Sequence, residues 1–455
     1  METETTTRGG NGKPTRRAAE AALSTLPKPV AAYTSGTSPI EEAADLKSRA
    51  MYLPRMPYGG SRMLAAAFKS IGLDARVVPE EDARTLELGG KYTSGDECYP
   101  QRIVLGGFLQ LLGDHKLDPR RTAFLLPTAN GPCRFGQYVR LLRRIVDDQG
   151  YSEVNVFSFT SADGYAGIGD QAGEVIRTAW RAIVAQDALM KLLLMTRPYE
   201  VNPGETDEVY LECLDIMDEI LSLQGITNKD RLVRLQAGLH RVKEAFTAIP
   251  VRQEDRPLIG VVGEIFCRLN TFSNNELIRH IEAQGGECWL TGVGEWVLYT
   301  NEEAFRRHRE EKTRLGKEWL KTYLTTRIMH RDEHALTKDF EHIFSRRPEP
   351  TVPEVLEAAH PYLPQEGALG EMVLSTGGAI AYYRRGADGI VDISPFTCMN
   401  GIVTEAVYPR VSKDHDHIPI RVFYFDGTNS DLDRDVGIFL ELARTYKRRK
   451  KIARS

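Results

Sequence analysis

Between residues 50 and 165, hydrophobic and polar positions change repeatedly from helical spacing to short apolar runs. A helical run at 63–71 ends at Gly72 and is followed by a strand pattern at 75–78. The same succession continues with the helix 101–112, the strand 122–126, the helix 137–148 and the strand 154–159. Alternating strands and helices of this kind predict a parallel α/β sheet.

A second alternation begins with the apolar strand pattern 257–263. Ser273 is a candidate N-cap for a helix at 275–283, and a strand pattern follows at 287–290. Further along the chain we predict charged helices within 302–346, a helix at 353–360, strands at 389–393 and 420–424, and helices at 401–406 and 433–448. This half of the chain therefore shows the same alternation of predicted strands and helices as the first.

A long helical tract at 174–249, broken near 198–204 and at Gly225, separates the two alternations. The predicted fold class is therefore α/β, with two Rossmann-like or flavodoxin-like parallel-sheet domains and a helical connecting layer. The predicted divisions are a disordered segment at 1–45, a first α/β domain at 46–165, a helical insertion at 166–255, a second α/β domain at 256–445 and a basic tail at 446–455.

Composition limits the function classes. With 455 residues, 42% hydrophobic and 27% charged, the chain has the composition of a globular protein, and its apolar runs are too short to span a membrane. A net charge of -4 gives no general attraction to nucleic acid, and the basic run 447–451 is expected to be a solvated end. The first 17 residues lack the apolar core of a secretory signal, which predicts a cytoplasmic protein. The oligomeric state is left open.

The six cysteines are not expected to form disulfides in such a protein. Cys213 lies in a helical pattern and Cys288 in a strand pattern, so both are predicted to be buried thiols. Cys98, Cys133 and Cys398 instead lie in turns rich in glycine and proline, each placed where a strand is predicted to end. Because sites in parallel sheets gather outside the carboxyl ends of the strands, we predict that the three converge on one iron-sulfur cluster. Zinc, a redox thiol pair and simple burial stay open, since the chain has no C-x-x-C motif.

Several segments carry a resemblance to known proteins. They are Glu97-Cys98-Tyr99-Pro100, Gly131-Pro132-Cys133-Arg134-Phe135-Gly136-Gln137-Tyr138, Gly263-Glu264-Ile265 with Arg268, Phe272-Ser273-Asn274-Asn275, Pro395-Phe396 to Cys398-Met399, and Tyr424-Phe425-Asp426-Gly427. These segments resemble the iron-sulfur dehydratase-like family, which includes the subunits of 2-hydroxyacyl-CoA dehydratase and benzoyl-CoA reductase. The similarity is greatest to the branch called acyl-CoA dehydratase activase-related proteins, and it covers about residues 46–445.

The resemblance implies a 4Fe-4S cluster, alone or as part of a double-cubane cluster, held by Cys98, Cys133 and Cys398. It also implies an ATP-dependent activase that supplies low-potential electrons for reductive or radical dehydration of a small-molecule or acyl-CoA substrate. This chain lacks a glycine-rich phosphate loop of the activase kind, so the activase would be a separate chain. A cluster-bearing electron carrier without its own substrate is the alternative.

Other residues are weaker candidates. Cys267 stands where the resemblance leads us to expect a different residue, and it is either a fourth ligand or, as we favour, a buried thiol. Arg134 is a candidate electrostatic neighbour of the cluster. Ser94, Asn130 and Gln137 are candidates to orient a substrate, and surface-turn roles fit them equally.

Two histidine pairs complete the candidates. His330 and His334 have the i,i+4 spacing of helical metal ligands, although a solvated helix face is the stronger interpretation. His415 and His417 alternate with aspartates, and a polar loop is the default for them.

Overall fold

Two four-stranded sheets, in which all strands are parallel, form the framework of the protein. The computed structural model describes residues 45–114, 116–128, 133–158, 171–313, 316–364, 370–428 and 431–454. The strands are β1 (Ala50–Leu53), β2 (Asp74–Val77), β3 (Thr122–Leu125), β4 (Asn155–Phe157), β5 (Leu258–Gly263), β6 (Glu287–Leu290), β7 (Gly389–Pro395) and β8 (Ile420–Phe425).

The two sheets have the same topology. The first has the order β2-β1-β3-β4 and the second the order β6-β5-β7-β8. In each sheet the chain therefore starts at a central strand, moves to one edge, and returns across the starting strand to the other side. The predicted fold class, with two parallel sheets and surrounding helices, is confirmed.

Helices cover the sheets and connect them. They are α1 (Tyr58–Lys69), α2 (Ala83–Lys91), α3 (Tyr99–Gly113), α4 (Tyr138–Asp148), α5 (Ala172–Thr196), α6 (Glu205–Ser222), α7 (Asn228–Ala248), α8 (Ile265–Leu269), α9 (Leu277–Ala283), α10 (Val293–Glu310), α11 (Lys317–Thr337), α12 (Glu341–Phe344), α13 (Val352–Ala359), α14 (Glu371–Arg384), α15 (Met399–Asp414) and α16 (Leu432–Arg454).

The helical tract α5, α6 and α7 has its breaks where the sequence predicts them. α5 packs against α1 beside the first sheet and against β6 in the second, so this layer joins the two halves. Arg181 of α5 is fully buried, and its Nε lies 2.8 Å from Oδ2 of the equally buried Asp332 in α11. A buried charge of this kind is tolerable because its partner is buried with it. All described residues belong to one compact unit, and the predicted domain boundaries stay predictions.

Several predicted elements were wrong or absent. α2 and α14 were not predicted at all. The prediction that a strand precedes Cys98 was wrong, because α2 and a loop lie between β2 and this residue. Ser273 does not cap a helix: α9 begins at Leu277, after Asn275 and Glu276 have adopted the left-handed conformation with φ of 48° and 54°.

The basic run near the C-terminus is not a solvated tail. α16 continues to Arg454, well beyond the predicted end of the last helix. Nζ of Lys450 lies 2.6 Å from Oδ1 of Asp388, and Lys447 pairs with Asp255. Only about a sixth of each lysine side chain is exposed, at 15% and 17%. These cations fix the end of α16 against the second sheet.

Some predictions concern residues outside the described ranges. They are the disordered segment up to residue 44, and Asn130 with its neighbours Gly131 and Pro132. Within the described part of the chain, no helix combines the length and apolar character needed to cross a bilayer.

Candidate functional site

The three predicted cysteines share one local structure, because each is the residue immediately before a helix. Cys98 is the N-cap of α3 and Cys398 is the N-cap of α15. Cys133 precedes the short 3-10 helix Arg134–Gln137. Backbone N–H groups of the first helical turn interact with each thiol, from Gln101, Phe135, and Asn400 with Gly401 respectively. These N–H groups, like helix N-termini in general, would stabilise negative charge on sulfur, and they oppose the effect of burial on each thiol.

Arg134 joins the three cysteine turns, defined here as 94–98, 133–137 and 395–398. Its Nη2 donates to the carbonyl oxygen of Thr397, the residue before the last of the three cysteines, at 2.7 Å. Its Nη1 donates to the carbonyl oxygen of Asp96, two residues before the first cysteine. Because Arg134 itself follows the second cysteine, one guanidinium group contacts all three turns.

Thr397 occupies a strained backbone conformation. Its φ is 64°, in the left-handed region that β-branched residues rarely adopt. The donor from Arg134 to its carbonyl oxygen helps to hold this conformation. Strain of this kind commonly accumulates at binding and catalytic sites, where the surrounding structure maintains it.

The carboxyl ends of the two sheets face each other around these turns. Asn270, which follows α8 in the second half, donates from Nδ2 to the carbonyl oxygen of Arg55 at 2.7 Å and to Oε1 of Glu81 at 2.9 Å. These two acceptors lie just beyond β1 and β2 of the first sheet. Arg102 of α3 in turn donates to the carbonyl oxygen of Asp426, just beyond β8, at 3.4 Å. The cysteine turns are therefore at an interface between the halves.

Two glutamates, neither predicted as a site residue, lie beside the cysteine turns. Glu264 caps α8 and accepts from the backbone N–H of Phe266 at 3.1 Å and of Cys267 at 2.8 Å. Glu371, at the start of α14, accepts from the backbone N–H of Ile265 at 2.7 Å. Burial raises the pKa of both carboxyl groups, and their proximity raises that of Glu371 further. This pair therefore retains a proton more readily than ordinary carboxyl groups.

Burial also raises the pKa of the three thiols. It raises the pKa of Cys98 to about 11 and, with the charge of Glu264 adding to it, that of Cys398 to about 12. Cys133 is exposed to solvent, yet the protein atoms around its thiol partly desolvate it and raise its pKa as well. The thiol of Cys98 also forms a hydrogen bond with Oη of Tyr138. Without a bound cation the thiols are protonated at neutral pH, and a bound metal would reverse that balance.

The remaining cysteines are buried. Cys213 in α6 and Cys288 in β6 have exposed fractions of 1% and 2%, which confirms the predictions for both. Cys267 has no exposed surface, and Cys98 and Cys398 are close enough for their charges to act on its pKa, which burial raises well above its usual range. Burial agrees with the favoured interpretation of Cys267, and a role as fourth ligand stays an untested alternative.

The other candidates have ordinary structural partners. Nδ1 of His330 lies 3.2 Å from Oε2 of Glu333 on an exposed helix face. Nδ1 of His415 lies 2.7 Å from the carbonyl oxygen of Val411 in the preceding turn. Ser94 donates to its neighbour Glu97. Across the described ranges, no three His, Cys, Asp or Glu side chains form a group that could hold a single metal ion.

The sequence matches no protein-family model and no curated protein.

Proposed function

We propose that the chain is a cytoplasmic iron-sulfur protein related to 2-hydroxyacyl-CoA dehydratase subunits, with a 4Fe-4S cluster held by Cys98, Cys133 and Cys398. The observation that carries the proposal is the position of Arg134, whose guanidinium group contacts the turns of all three cysteines. This contact links the turns that carry three thiols far apart in sequence, and it supports a shared site for them.

The donor set fits such a cluster. Each thiol caps a helix, so backbone amides are available as donors near sulfur, and amide hydrogen bonds are among the factors that set cluster potential. The aromatic side chains of Phe135 and Tyr138, with ring centroids 5.1 Å apart, pack beside these turns and limit water.

A cluster suits this arrangement better than a single ion. The described residues contain no compact group of three ligands for one ion. A four-iron cluster binds its cysteines at separate iron atoms, so its ligands need not crowd around one centre. The spread of the thiols over three turns supports a cluster.

When bound, a cluster of this kind supplies transfer of one electron at low potential. In this proposal a separate ATP-dependent activase supplies the electron, and a small-molecule or acyl-CoA substrate is reduced or dehydrated. Arg134 contributes positive charge that stabilises an anionic site. Glu371 holds a proton close by, since burial and the charge of Glu264 raise its pKa.

A cluster-bearing electron carrier is the second candidate. Cys133 is exposed, and apolar side chains around Cys398 are exposed as well, with 58% of Phe396 and 55% of Ile402 accessible to solvent. A carrier needs such a surface for contact with a partner, whereas an enzyme needs an enclosed space for its substrate.

The test is anaerobic purification followed by iron and sulfide analysis and EPR spectroscopy of the reduced protein. We expect about four irons per chain. We also expect loss of the signal, or a large change in it, in each of the variants Cys98→Ala, Cys133→Ala and Cys398→Ala. Cys213→Ala is the matched control, because its thiol is buried in the helical layer. Iron-free protein after reconstitution, or a signal that survives all three substitutions, would contradict the proposal.

The same spectra separate the enzyme from the carrier. Addition of a 2-hydroxyacyl-CoA should change the EPR spectrum of an enzyme, because the substrate binds beside the cluster. An unchanged spectrum in iron-loaded protein favours the carrier.

A further inference from the structure

A large cleft lies at the end of the second sheet that is opposite the cysteine turns. Its volume is about 950 Å³, within the range of small-molecule sites. Its lining includes Leu258 and Glu287, the first residues of β5 and β6, and Asp388, which precedes β7. The cleft therefore lies at the amino ends of these strands, whereas the cysteine turns follow the carboxyl ends.

The lining carries an excess of positive charge. Five arginines and two lysines face two glutamates and two aspartates, an excess of three positive charges. The cations are Arg252, Arg256, Arg346, Arg347, Arg385, Lys447 and Lys450. The anions are Glu254, Asp255, Glu287 and Asp388.

Each acidic side chain of the lining is already paired with one of these cations. Glu287 receives two bonds from Arg347, at 2.9 Å and 2.7 Å, and a third from Oη of Tyr199 at 2.6 Å. Glu254 pairs with Arg256, and both aspartates pair with the lysines of α16. The carboxylates therefore do not compete for the remaining cations.

Two arginines retain unneutralised charge. Among the described residues, no carboxylate lies within 4.0 Å of the guanidinium groups of Arg252 or Arg346. Arg252 donates from Nη2 only to the carbonyl oxygen of Val201, at 3.4 Å. Arg385, in contrast, pairs with Glu354 at 3.0 Å, outside the lining. Two exposed guanidinium groups without a carboxylate partner therefore line this cleft, and such groups can bind anions.

The cleft also has an apolar wall. It is formed by side chains at the ends of α5 and α7 and in α12, namely Leu192, Met195, Phe246, Ile249 and Ile343. Leu192, Phe246 and Ile249 are buried, whereas Met195 and Ile343 are partly exposed and Val251, also in the lining, is 51% exposed. A simple inorganic anion would leave this exposed apolar part in contact with water. A ligand that combines anionic groups with an apolar or planar part would use both surfaces.

We infer that this cleft binds a phosphorylated organic molecule of the nucleotide type, with its phosphate groups at Arg252 and Arg346 and its apolar part against the wall. Phosphate is favoured over a single carboxylate because the excess charge calls for a multivalent anion. Guanidinium groups also bind two phosphate oxygens at once. The inference is independent of the cysteine site.

Isothermal titration calorimetry on the full chain tests it, with ADP, pyrophosphate and adenosine as probes. ADP should bind saturably, more tightly than either pyrophosphate or adenosine, and less tightly as salt increases. Arg252→Gln and Arg346→Gln should each weaken ADP binding about tenfold. Arg327→Gln is the matched control, because Arg327 is exposed on α11 and does not line the cleft.

Thermal unfolding of the variants identifies any that fail to fold, and a folded variant of either arginine suffices for the test. Absence of saturable ADP binding up to about 1 mM would overturn the inference. So would ADP binding that both arginine substitutions leave unchanged, or adenosine binding as tight as that of ADP. None of these measurements requires iron, so failure here is distinguishable from failure of the cluster proposal.

Discussion

The two sheets share one strand order yet differ in how completely they are enclosed. In the second sheet β5, β6 and β7 are buried along their whole length. In the first sheet only β3 is, since β1, β2 and β4 each carry exposed or partly exposed positions, as does the edge strand β8 of the second sheet. The same order of strand connections therefore gives the same sheet topology, but the burial of each strand depends on which helices cover its two faces.

The third strand of each sheet shows the contrast in its side chains. Phe124 of β3 stacks on Phe108 of α3, with ring centroids 4.2 Å apart, and neither side chain is exposed. Asp392 of β7 is equally buried, but it accepts hydrogen bonds from Ser394, Thr404 and Tyr408. An apolar stack thus helps to fix the third strand of the first sheet, and a polar network helps to fix that of the second.

The largest effect is expected from Gly263→Ala at the end of β5. Gly263 has φ of 127°, and a Cβ atom there would lie 2.1 Å from the carbonyl oxygen of Ile393 in β7. Since neither backbone can move without separating the two central strands, we expect loss of cooperative folding. Urea unfolding followed by circular dichroism measures whether the variant still unfolds in one cooperative transition.

Gly72→Ala in the first half is the matched control. Gly72 also has a positive φ, of 84°, but no atom lies within 4 Å of the added Cβ. It should cost only about 1 kcal/mol. If the two substitutions lower the free energy of unfolding equally, backbone strain alone accounts for the loss. The close packing of β5 against β7 then makes no additional contribution.

The sequence predicts the framework because strands and helices in both halves have clear periodicity. α14 was missed for a physical reason: its sequence EMVLSTGGAIAYYR has no polar face, and its glycine pair is typical of a turn. The helix is buried nearly all round, and a Cβ at Gly377 would lie 2.0 Å from the carbonyl oxygen of Val355 in α13. Only the close approach of a neighbouring helix explains that glycine.

The candidate site was predictable in part. Thiols in turns rich in glycine and proline are visible in the sequence and point to the three cysteines, although no strand directly precedes Cys98. The contact of Glu371 with Ile265 spans 106 residues, and that of Arg134 with Thr397 spans 263. Neither periodicity nor a sequence motif predicts such long-range contacts, because they depend on how the two halves of the protein pack together.

The contrast between the apolar stack and the polar network gives the second prediction. Phe124→Ala should lower the free energy of unfolding by about 3–5 kcal/mol, because it leaves a cavity beside Phe108. Asp392→Asn should cost about 1–3 kcal/mol, since an amide cannot accept all three donors. Chemical denaturation of both variants checks the order. A larger loss in Asp392→Asn would mean that the polar network contributes more stability than the aromatic stack.

The interface between the halves gives a third prediction, a pH dependence. Burial and the charge of Glu264 raise the pKa of Glu371 from 4.5 to about 8. The folded protein therefore binds a proton that the unfolded chain releases. The contribution of Glu371 to the free energy of unfolding is fully present below about pH 4.5 and is lost as the pH rises towards 8. Glu371→Gln cannot ionise and should flatten this decline in the free energy of unfolding.

Glu357→Gln is the control for that series. Glu357 is an exposed glutamate on α13, so its replacement should leave the decline as it is in the unchanged protein. If Glu371→Gln shows the same slope as the control, another buried group causes the pH dependence.

The smallest effect is expected at Thr397, where the second half meets Arg134 of the first. Thr397→Gly should raise the free energy of unfolding by about 1 kcal/mol, because glycine adopts a φ of 64° without strain. Thr128→Gly, at a first-half threonine outside the left-handed region, should instead lower it by a similar amount. If Thr397→Gly also destabilises the protein in urea unfolding, the contact of Arg134 with Thr397 Oγ1, at 3.4 Å, outweighs the strain. In that case the threonine would stabilise the junction of the two halves through its side chain.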